Sequence, residues 1–245
     1  MNGKLTMPFG SSITALSELA HDLLFPKRCL GCHEFDNFIC DKCLDSIIIK
    51  NNFCCPICNR EIDFPTVCPN CVGESVISGL WVVSNYHNKL VKEVIHLIKY
   101  SYCDALSEVW EKMIMKYFER ERFWPEEAIL IPVPLHKRRY LERGFNQSII
   151  IGNILNKVRG NNICDKIIAR KRYGKHQAML DVEKRKESIK GCFKLISDIN
   201  WKEDLPKEVI LVDDVYTTGA TMQECARTLK GAGFEKIYGF AMARG

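Results

Sequence analysis

The sequence predicts an α/β fold, a parallel sheet with helices on both faces, preceded by a small cysteine-rich module. Three observations lead there. From Leu80 to the C-terminus, apolar runs of strand length alternate with amphipathic segments of helix length, the order that builds a doubly wound sheet. The run Val209 to Val212 is four apolar residues, three of them β-branched, which suits a parallel strand buried on both faces. Eight cysteines fall in four C-x-x-C pairs between Cys29 and Cys71, the spacing of metal-binding knuckles.

With 245 residues the chain can bury about 70–75% of its unfolded surface, enough for one sizeable core and a small module. Its hydrophobic content of 47% and charged content of 27% are those of a soluble globular protein. No stretch approaches the ~20 apolar residues of a membrane span. Ser11 to Pro26 is interrupted by Glu18, His21 and Asp22 and so lacks a signal-peptide core. Residues 1–26 read instead as an N-terminal amphipathic helix, with Ile13, Leu16, Leu19, Leu23 and Leu24 on one side. Without an export signal the expected compartment is a reducing cytoplasm, where the 13 cysteines are not disulfides. The net charge of +5 is unevenly spread: His136 to Lys190 carries 15 Lys+Arg against 5 Asp+Glu. Such a segment suits an anion, either a pyrophosphate or a nucleic acid backbone.

Residues 27–75 are the predicted metal module, a double zinc ribbon. The pairs are Cys29/Cys32, Cys40/Cys43, Cys55/Cys58 and Cys68/Cys71, repeating as C-L-G-C-H…C-D-K-C and C-P-I-C-N…C-P-N-C. Two thiolate knuckles close one tetrahedral Zn²⁺ site, so eight cysteines imply two structural ions. A segment this short and loop-rich cannot hold itself together by burial alone, and zinc would supply its folding energy. Pairing within each repeat is the simpler assignment; a crossed pattern is the alternative. Cys54 duplicates Cys55 and rivals it as ligand, although the C-P-I-C spacing favours Cys55. Cys103, Cys164, Cys192 and Cys225 have no partner at ligand spacing and are expected to be buried, unreactive thiols.

The domain predicted over 79–245 begins with a strand at Leu80–Tyr86. A helix follows at Leu90–Tyr100, with Val91, Val94, Ile95 and Ile98 on one face, and a second at Leu106–Arg122. Pro125 precedes an apolar strand, Ala128–Val133, which leaves on prolines into the basic loop P-V-P-L-H-K-R-R-Y-L-E-R-G-F-N-Q, residues 132–147. A helix at about Asn146–Val158 and a strand at Asn162–Ala169 come next. Arg170–Lys190 is polar and basic, which predicts a mobile loop running into a short helix. Gly191–Ile196 returns to the core as a strand. After the Val209 strand, Met222–Lys230 is a helix with Ala226 and Leu229 inward, closed by Gly231-Ala-Gly233, and Lys236–Ala243 is the last strand.

The candidate binding site is V-I-L-V-D-D-V-Y-T-T-G-A-T, Val209 to Thr221. Ligands of open α/β sheets bind outside the carboxyl ends of the strands. There the chain places Asp213 and Asp214, which can accept hydrogen bonds from two sugar hydroxyls, and then Thr217, Thr218, Gly219, Ala220 and Thr221. A loop of small and hydroxylated residues entering a helix offers unpaired N–H groups and a positive dipole end to a phosphate. Together these point to a ribose 5-phosphate.

This stretch resembles the thirteen-residue signature of the type I phosphoribosyltransferases, which bind phosphoribosyl pyrophosphate (PRPP). Adding the cysteine pairs, I-K-Y at 98–100, P-V-P-L-H, R-G-F-N-Q at 143–147 and a basic Gln/Arg loop, the chain is similar to the ComF family of competence proteins from about Leu24 to Gly245. The resemblance implies a type I phosphoribosyltransferase-like sheet with Asp213 and Asp214 as its catalytic acids. It also implies a pyrophosphate loop of Leu135, His136, Lys137 and Arg138, and a flexible hood carrying Arg170, Lys175, Gln177 and Arg185. Gly174 and Ser188 depart from the family's usual threonine and asparagine. PRPP would come with Mg²⁺, held chiefly by substrate oxygens and waters. Tyr86, Phe145 and Tyr216 are candidates to stack on a base, although such aromatics are more often core. The implied role is handling single-stranded DNA in natural transformation, beside DNA-uptake or helicase proteins, with a ribose-phosphate site retained. The alternative is an active phosphoribosyltransferase moving ribose 5-phosphate from PRPP to a nucleobase or amine.

Overall fold

The computed structural model describes residues 27–50, 53–100, 104–120, 123–172, 187–196 and 206–245. The helix expected over 1–26 lies outside them. The chain falls into two compact units, Met1–Ser46 and Ile47–Gly245.

In the first unit the C-L-G-C turn is closed by His33 N–H donating to Cys29 O at 2.9 Å and Cys29 N–H donating to Glu34 O at 2.8 Å. Helix α1 (Asp41–Asp45) starts at Cys40, so the second knuckle of this repeat sits on a helical turn. Arg28 lies over the Phe35 ring at 4.1 Å.

The second unit is built on a six-stranded sheet. Its order is β2 (Glu61–Ile62), β1 (Phe53–Cys54), β3 (Gly79–Asn85), β8 (Lys236–Arg244), β7 (Glu208–Tyr216) and β4 (Ile129–Pro132). The last four are mutually parallel, and the β1–β2 hairpin adds antiparallel to β3 through Cys54 and Leu80. This is the expected α/β sheet, with a short antiparallel edge supplied by the second cysteine repeat. Val209, Ile210, Leu211 and Val212 are all fully buried, because helices cover both faces. On one face lie α2 (Lys89–Tyr100), α3 (Asp104–Phe118) and α5 (Gln147–Arg159); α6 (Ala220–Lys230) covers the other.

Helical period explains α2: Val91, Val94, Ile95 and Ile98 are buried together, each contributing roughly 1.5–3 kcal/mol by leaving water. Its face of the sheet carries an aromatic cluster, with Trp81 and Trp124 at 5.0 Å and Phe118 and Trp124 also at 5.0 Å, edge to face. Asn161 pins the approach to β4. Its Nδ2 donates to the carbonyls of Pro125, Glu126 and Ala128, and its Oδ1 accepts from Trp124 Nε1. Among the described residues no helix is long and apolar enough to cross a membrane.

Three segments differ from the sequence reading. The basic loop contains a helix, α4 (Lys137–Arg143), capped by His136 Nδ1 accepting from Arg138 N–H and closed by Gly144 at φ 80. Its K-R-R-Y-L-E-R run has no apolar stripe to advertise a helix, but its residues are good helix formers and Arg138 meets Glu142 one turn on at 3.0 Å. The strand expected over 162–169 touches the sheet only beside Leu130, where Asn162 O and Cys164 N–H bond its backbone. The chain then turns away as β5 (Ile168–Arg170), which pairs with β6 (Phe193–Leu195) in a separate antiparallel hairpin rather than extending the sheet. Ile168 and Phe193 give that hairpin an inward face against the α6 side of the core.

Candidate functional site

The cleft arises because β4 ends before β7 does. The two strands pair from Ile129/Val209 to Pro132/Val212, and Val133 N–H makes a last bond to Val212 O at 2.9 Å. β4 then leaves through Pro134, while β7 stays paired with β8 as far as Tyr216 and Arg244. Asp213 and Asp214 are thus left at a strand end supported from one side, bordering a cleft of ≈ 380 Å³. The loop Thr217–Thr221 lines it too, so the acid pair and the small-residue loop predicted from sequence do meet.

Asp213 Oδ1 accepts from Ser148 Oγ at 3.1 Å and from the Asp214 N–H at 2.9 Å. Burial, then the neighbouring Asp214, pushes its carboxyl up to about 7, against the pull of those donors and of Lys99. Asp214 is buried and ion-paired, its Oδ2 lying 2.7 Å from Lys99 Nζ. Burial pulls Lys99 down, but the Asp214 carboxylate outweighs it and the ammonium is held above its ordinary range. Lys99 reaches the cleft from the last turn of α2, and Ser148 from the first turn of α5. Asn146 aligns α5: its Oδ1 accepts from Ser148 N–H, and its Nδ2 donates to Val133 O.

The phosphate-type loop ends on Gly219, the N-cap of α6, at φ 72. Only glycine fits there. The conformation disfavours a side chain, and a Cβ would lie 2.1 Å from the Tyr216 hydroxyl. Tyr216 is therefore the floor of the loop, not a base-stacking ring: it is 2% exposed and donates to Pro56 O at 2.9 Å. Burial pushes its hydroxyl up to about 12, opposed by Arg244, so it remains a donor. Arg244 lies over the Tyr216 ring at 4.9 Å and donates to Cys55 O at 2.8 Å and Ile57 O at 3.4 Å.

Of the four residues expected to form a pyrophosphate loop, Leu135 lines the cleft; His136, Lys137 and Arg138 do not. They form the cap and first turn of α4, whose Arg139 and Arg143 line the cleft instead. Arg170 also lines it from the end of β5, lying over the Phe193 ring at 5.5 Å. Burial, then the nearby Arg139, lowers its pKa. Lys175, Gln177 and Arg185 lie outside the described residues. Tyr86 borders the cleft and Phe145 does not. Sequence reasoning assigned no role to Lys99, Ser148 or Gln147. I-K-Y and R-G-F-N-Q marked Lys99 and Gln147 as motif members, and the i, i+4 spacing of Arg139 and Arg143 was visible, but nothing marked Ser148.

The cysteines gather by repeat. The Sγ atoms of Cys29, Cys32, Cys40 and Cys43 lie within 4.8 Å of one another, and so do those of Cys55, Cys58, Cys68 and Cys71. Sulfurs tetrahedral about zinc at ~2.3 Å stand ~3.8 Å apart, and Cys32/Cys40 and Cys58/Cys68 are each at 3.6 Å. Either group can hold one zinc ion. In each, one thiol is drawn down to about 6, Cys29 and Cys55, where backbone N–H groups overcome burial. Cys54 stays outside the second group; burial pushes its thiol up, and Lys50 Nζ lies 3.5 Å from its sulfur.

Chemically, the cleft offers a carboxylate pair for vicinal hydroxyls, a helix amino end for a phosphate, and cationic groups for further negative charge. Its acid pair has a measurable signature. A folded Asp213 with its pKa near 7 keeps a proton that the unfolded chain, at an ordinary 3.8, has lost. The folded state then binds more protons between roughly pH 4 and 7, and this contribution to stability falls as pH rises through that window. Thermal melts should show the wild type losing melting temperature relative to Asp213→Asn between pH 5 and pH 8. Parallel pH profiles would mean that Asp213 titrates as an ordinary aspartate.

No family model matches the chain. It is 25% identical to competence protein F of Haemophilus influenzae over 233 residues, 86% of this chain and 98% of that one. Over 209 residues, 79% of this chain and 78% of the other, it is 24% identical to competence protein ComFC of Bacillus subtilis. DNA utilization protein YhgH of Escherichia coli K12 is 26% identical over 212 residues, 78% of this chain and 89% of that protein. Matches over 78–86% of this chain to these relatives, an α/β sheet carrying an acid pair at a strand end, and two four-cysteine groups support the resemblance to the ComF family.

Proposed function

We propose that this protein handles single-stranded DNA in DNA uptake or utilization, and that its cleft binds PRPP or another ribose 5-phosphate ligand. The relatives' names, competence and DNA utilization, support the first part. One observation carries the second: Asp213 and Asp214 border the same cleft as the amino end of α6. The acids would take the ribose 2′- and 3′-hydroxyls and residues 217–221 the 5-phosphate. Arg139, Arg143 and Arg170 would meet a pyrophosphate, and Mg²⁺ would ride chiefly on ligand oxygens and water. The proposed organisation is a zinc-ribbon region over 27–75 followed by a phosphoribosyltransferase-like domain over 79–245, in the cytoplasm, with two structural zinc ions.

The clustering of cations about the acid pair also favours a second reading, catalysis. Charge accumulating on departing pyrophosphate would be stabilised by the cleft guanidinium groups while a nitrogen acceptor attacks the ribose. A plain test of the site is Asp213→Asn with Asp214→Asn, which keeps shape and removes the acids' ability to form charge-assisted hydrogen bonds. Affinity for ribose 5-phosphate should fall at least about tenfold by calorimetry. Unchanged affinity would make the acids structural.

The DNA role is tested by salt. Single-stranded oligonucleotides of unrelated sequence should bind alike, and replacing Arg138, Arg139 and Arg143 by Ala should flatten the log–log salt dependence by about 2 if all three touch backbone. No oligonucleotide binding at low salt, with or without PRPP, would leave the enzyme as the better reading.

Zinc gives a differential test. Metal analysis should find close to two zinc ions per chain. Cys58→Ser should weaken ribose 5-phosphate binding, because Tyr216 and Arg244 tie that cluster's turn to the loop; Cys32→Ser should leave such binding intact. Equal loss in both variants would refute that link.

A further inference from the structure

Helix α4 has no buried residue among its seven. That is too short for a helix to sustain itself in water, where isolated helices under ~12–15 residues are marginal. Caps at His136 and Gly144 fix its ends, yet its outer side carries Tyr140 at 48% and Leu141 at 72% exposure. A third exposed side chain adjoins it. Tyr100, the last residue of α2, is 68% exposed, and the Arg143 guanidinium lies over its ring at 5.9 Å. One turn back along α2, the exposed His96 ring meets Tyr100 at 4.7 Å, tilted by 43°. Two rings and a guanidinium plane thus form an open platform. It lies outside the cleft but shares Arg143 with it, and Tyr100 directly follows the cleft residue Lys99.

The chemistry of that platform fits unpaired bases. An exposed ring offers a π-face on which any base can stack, and a guanidinium beside it adds a cation–π contact. Charge lies alongside: four of the seven residues of α4 are basic, and Glu142, its acid, is paired with Arg138 at 3.0 Å. Backbone phosphates would therefore meet cations on the flank of the rings. A duplex keeps its base faces stacked on one another and has few to offer, whereas a single strand can splay its bases onto aromatic side chains. An apolar protein partner would leave the cations unmatched. We infer that Tyr100, with His96 and Arg143, is a stacking site for the bases of single-stranded nucleic acid, whose phosphates run along α4 past the mouth of the cleft. This rests on the DNA reading above and adds base contacts to the backbone contacts assigned there.

The test is fluorescence anisotropy on the full chain, with labelled oligothymidine and an abasic oligonucleotide of the same length as separate probes. The two carry the same phosphates and differ in having bases. The wild type should bind oligothymidine at least about fivefold tighter than the abasic strand. Tyr100→Ala should remove most of that preference, while affinity for the abasic strand and its salt slope stay within about twofold. Tyr100→Phe keeps the ring and should keep the preference. An oligonucleotide carrying bromouracil should photocrosslink to residues 96–100 or 137–143 of the unmutated chain, a measurement that serves if the Ala variant folds poorly. Crosslinks confined to other segments would overturn the inference. Equal wild-type affinity for the two strands would refute stacking and leave the DNA reading standing. Equal losses for both strands in Tyr100→Ala would make the ring a support for Arg143 and likewise refute stacking, as would a preference for duplex over single strand. Binding of neither strand would sink the DNA reading and this inference with it. Self-association abolished by Leu141→Asp, without base preference, would assign the surface to a second copy of the chain and overturn the inference.

Discussion

The floor of the cleft is one phenol. Tyr216 fills the space under Gly219 so closely that no side chain fits between them, and its hydroxyl is spent on Pro56 O. Arg244, stacked on the same ring, reaches the carbonyls on either side of Pro56. Hydrogen bonds from a charged donor in such a setting are worth roughly 1.5–3 kcal/mol each. Their acceptors, however, are backbone atoms of the Cys55–Cys58 turn, which carries two of the four gathered thiols of the second cysteine group. The second cysteine group and the phosphate-type loop are thus one mechanical assembly, joined by residues about as far apart in the chain as its second unit allows. An antiparallel hairpin on the sheet edge serves the site from below.

Charge is arranged with equal economy above that floor. Two adjacent carboxylates cannot both be buried and ionised without compensation. The structure treats them differently: Asp214 is paired with Lys99 at 2.7 Å, while burial and the neighbouring Asp214 push the Asp213 carboxyl up to about 7. A protonated Asp213 donates as well as accepts, so near neutral pH the pair presents mixed hydrogen-bonding character to a diol. The guanidinium groups stand off on α4 and β5, elements that do not belong to the main sheet. On the proposed reading, sugar recognition would rest on the sheet, and recognition of further negative charge on its more peripheral attachments.

How much of this was legible in the sequence follows from which interactions are local. The buried run Val209–Val212, the acid pair and the Thr-Thr-Gly loop announce themselves because period, composition and order all lie within thirteen residues. The cysteine groups were legible for the same reason: each knuckle is a four-residue pattern. α4 was missed because a short helix bordering a cleft needs no apolar stripe. The β5–β6 hairpin reads as sheet strands because a three-residue run with two apolar members, Ile-Ala-Arg or Phe-Lys-Leu, looks the same in either setting. Lys99 and Ser148 owe their roles to Asp214 and Asp213, more than sixty residues away, and no local pattern encodes such a meeting.

The two proposed ligands share a border. Within α4 the residues one turn apart, Arg139 and Arg143, face the cleft, while Arg138 is held on the exposed side by Glu142. The helix is short, capped at one end by His136 and closed at the other by Gly144. On the proposed reading, a diphosphate met by Arg139 and Arg143 and a DNA backbone met by Arg138 would share this one helix. Any coupling between the anions would then require no long-range pathway, since both would contact one helix of seven residues. Among the described residues the cleft is lined mostly by polar groups, which the proposed reading assigns to sugar and phosphate, with Tyr86 at its border and Tyr216 buried beneath the loop. On the proposed reading, such a site would recognise a phosphoribosyl donor through more groups than it offers an acceptor. That asymmetry suits a protein whose acceptor, or whose signal, arrives on a strand already gripped by the neighbouring basic surface.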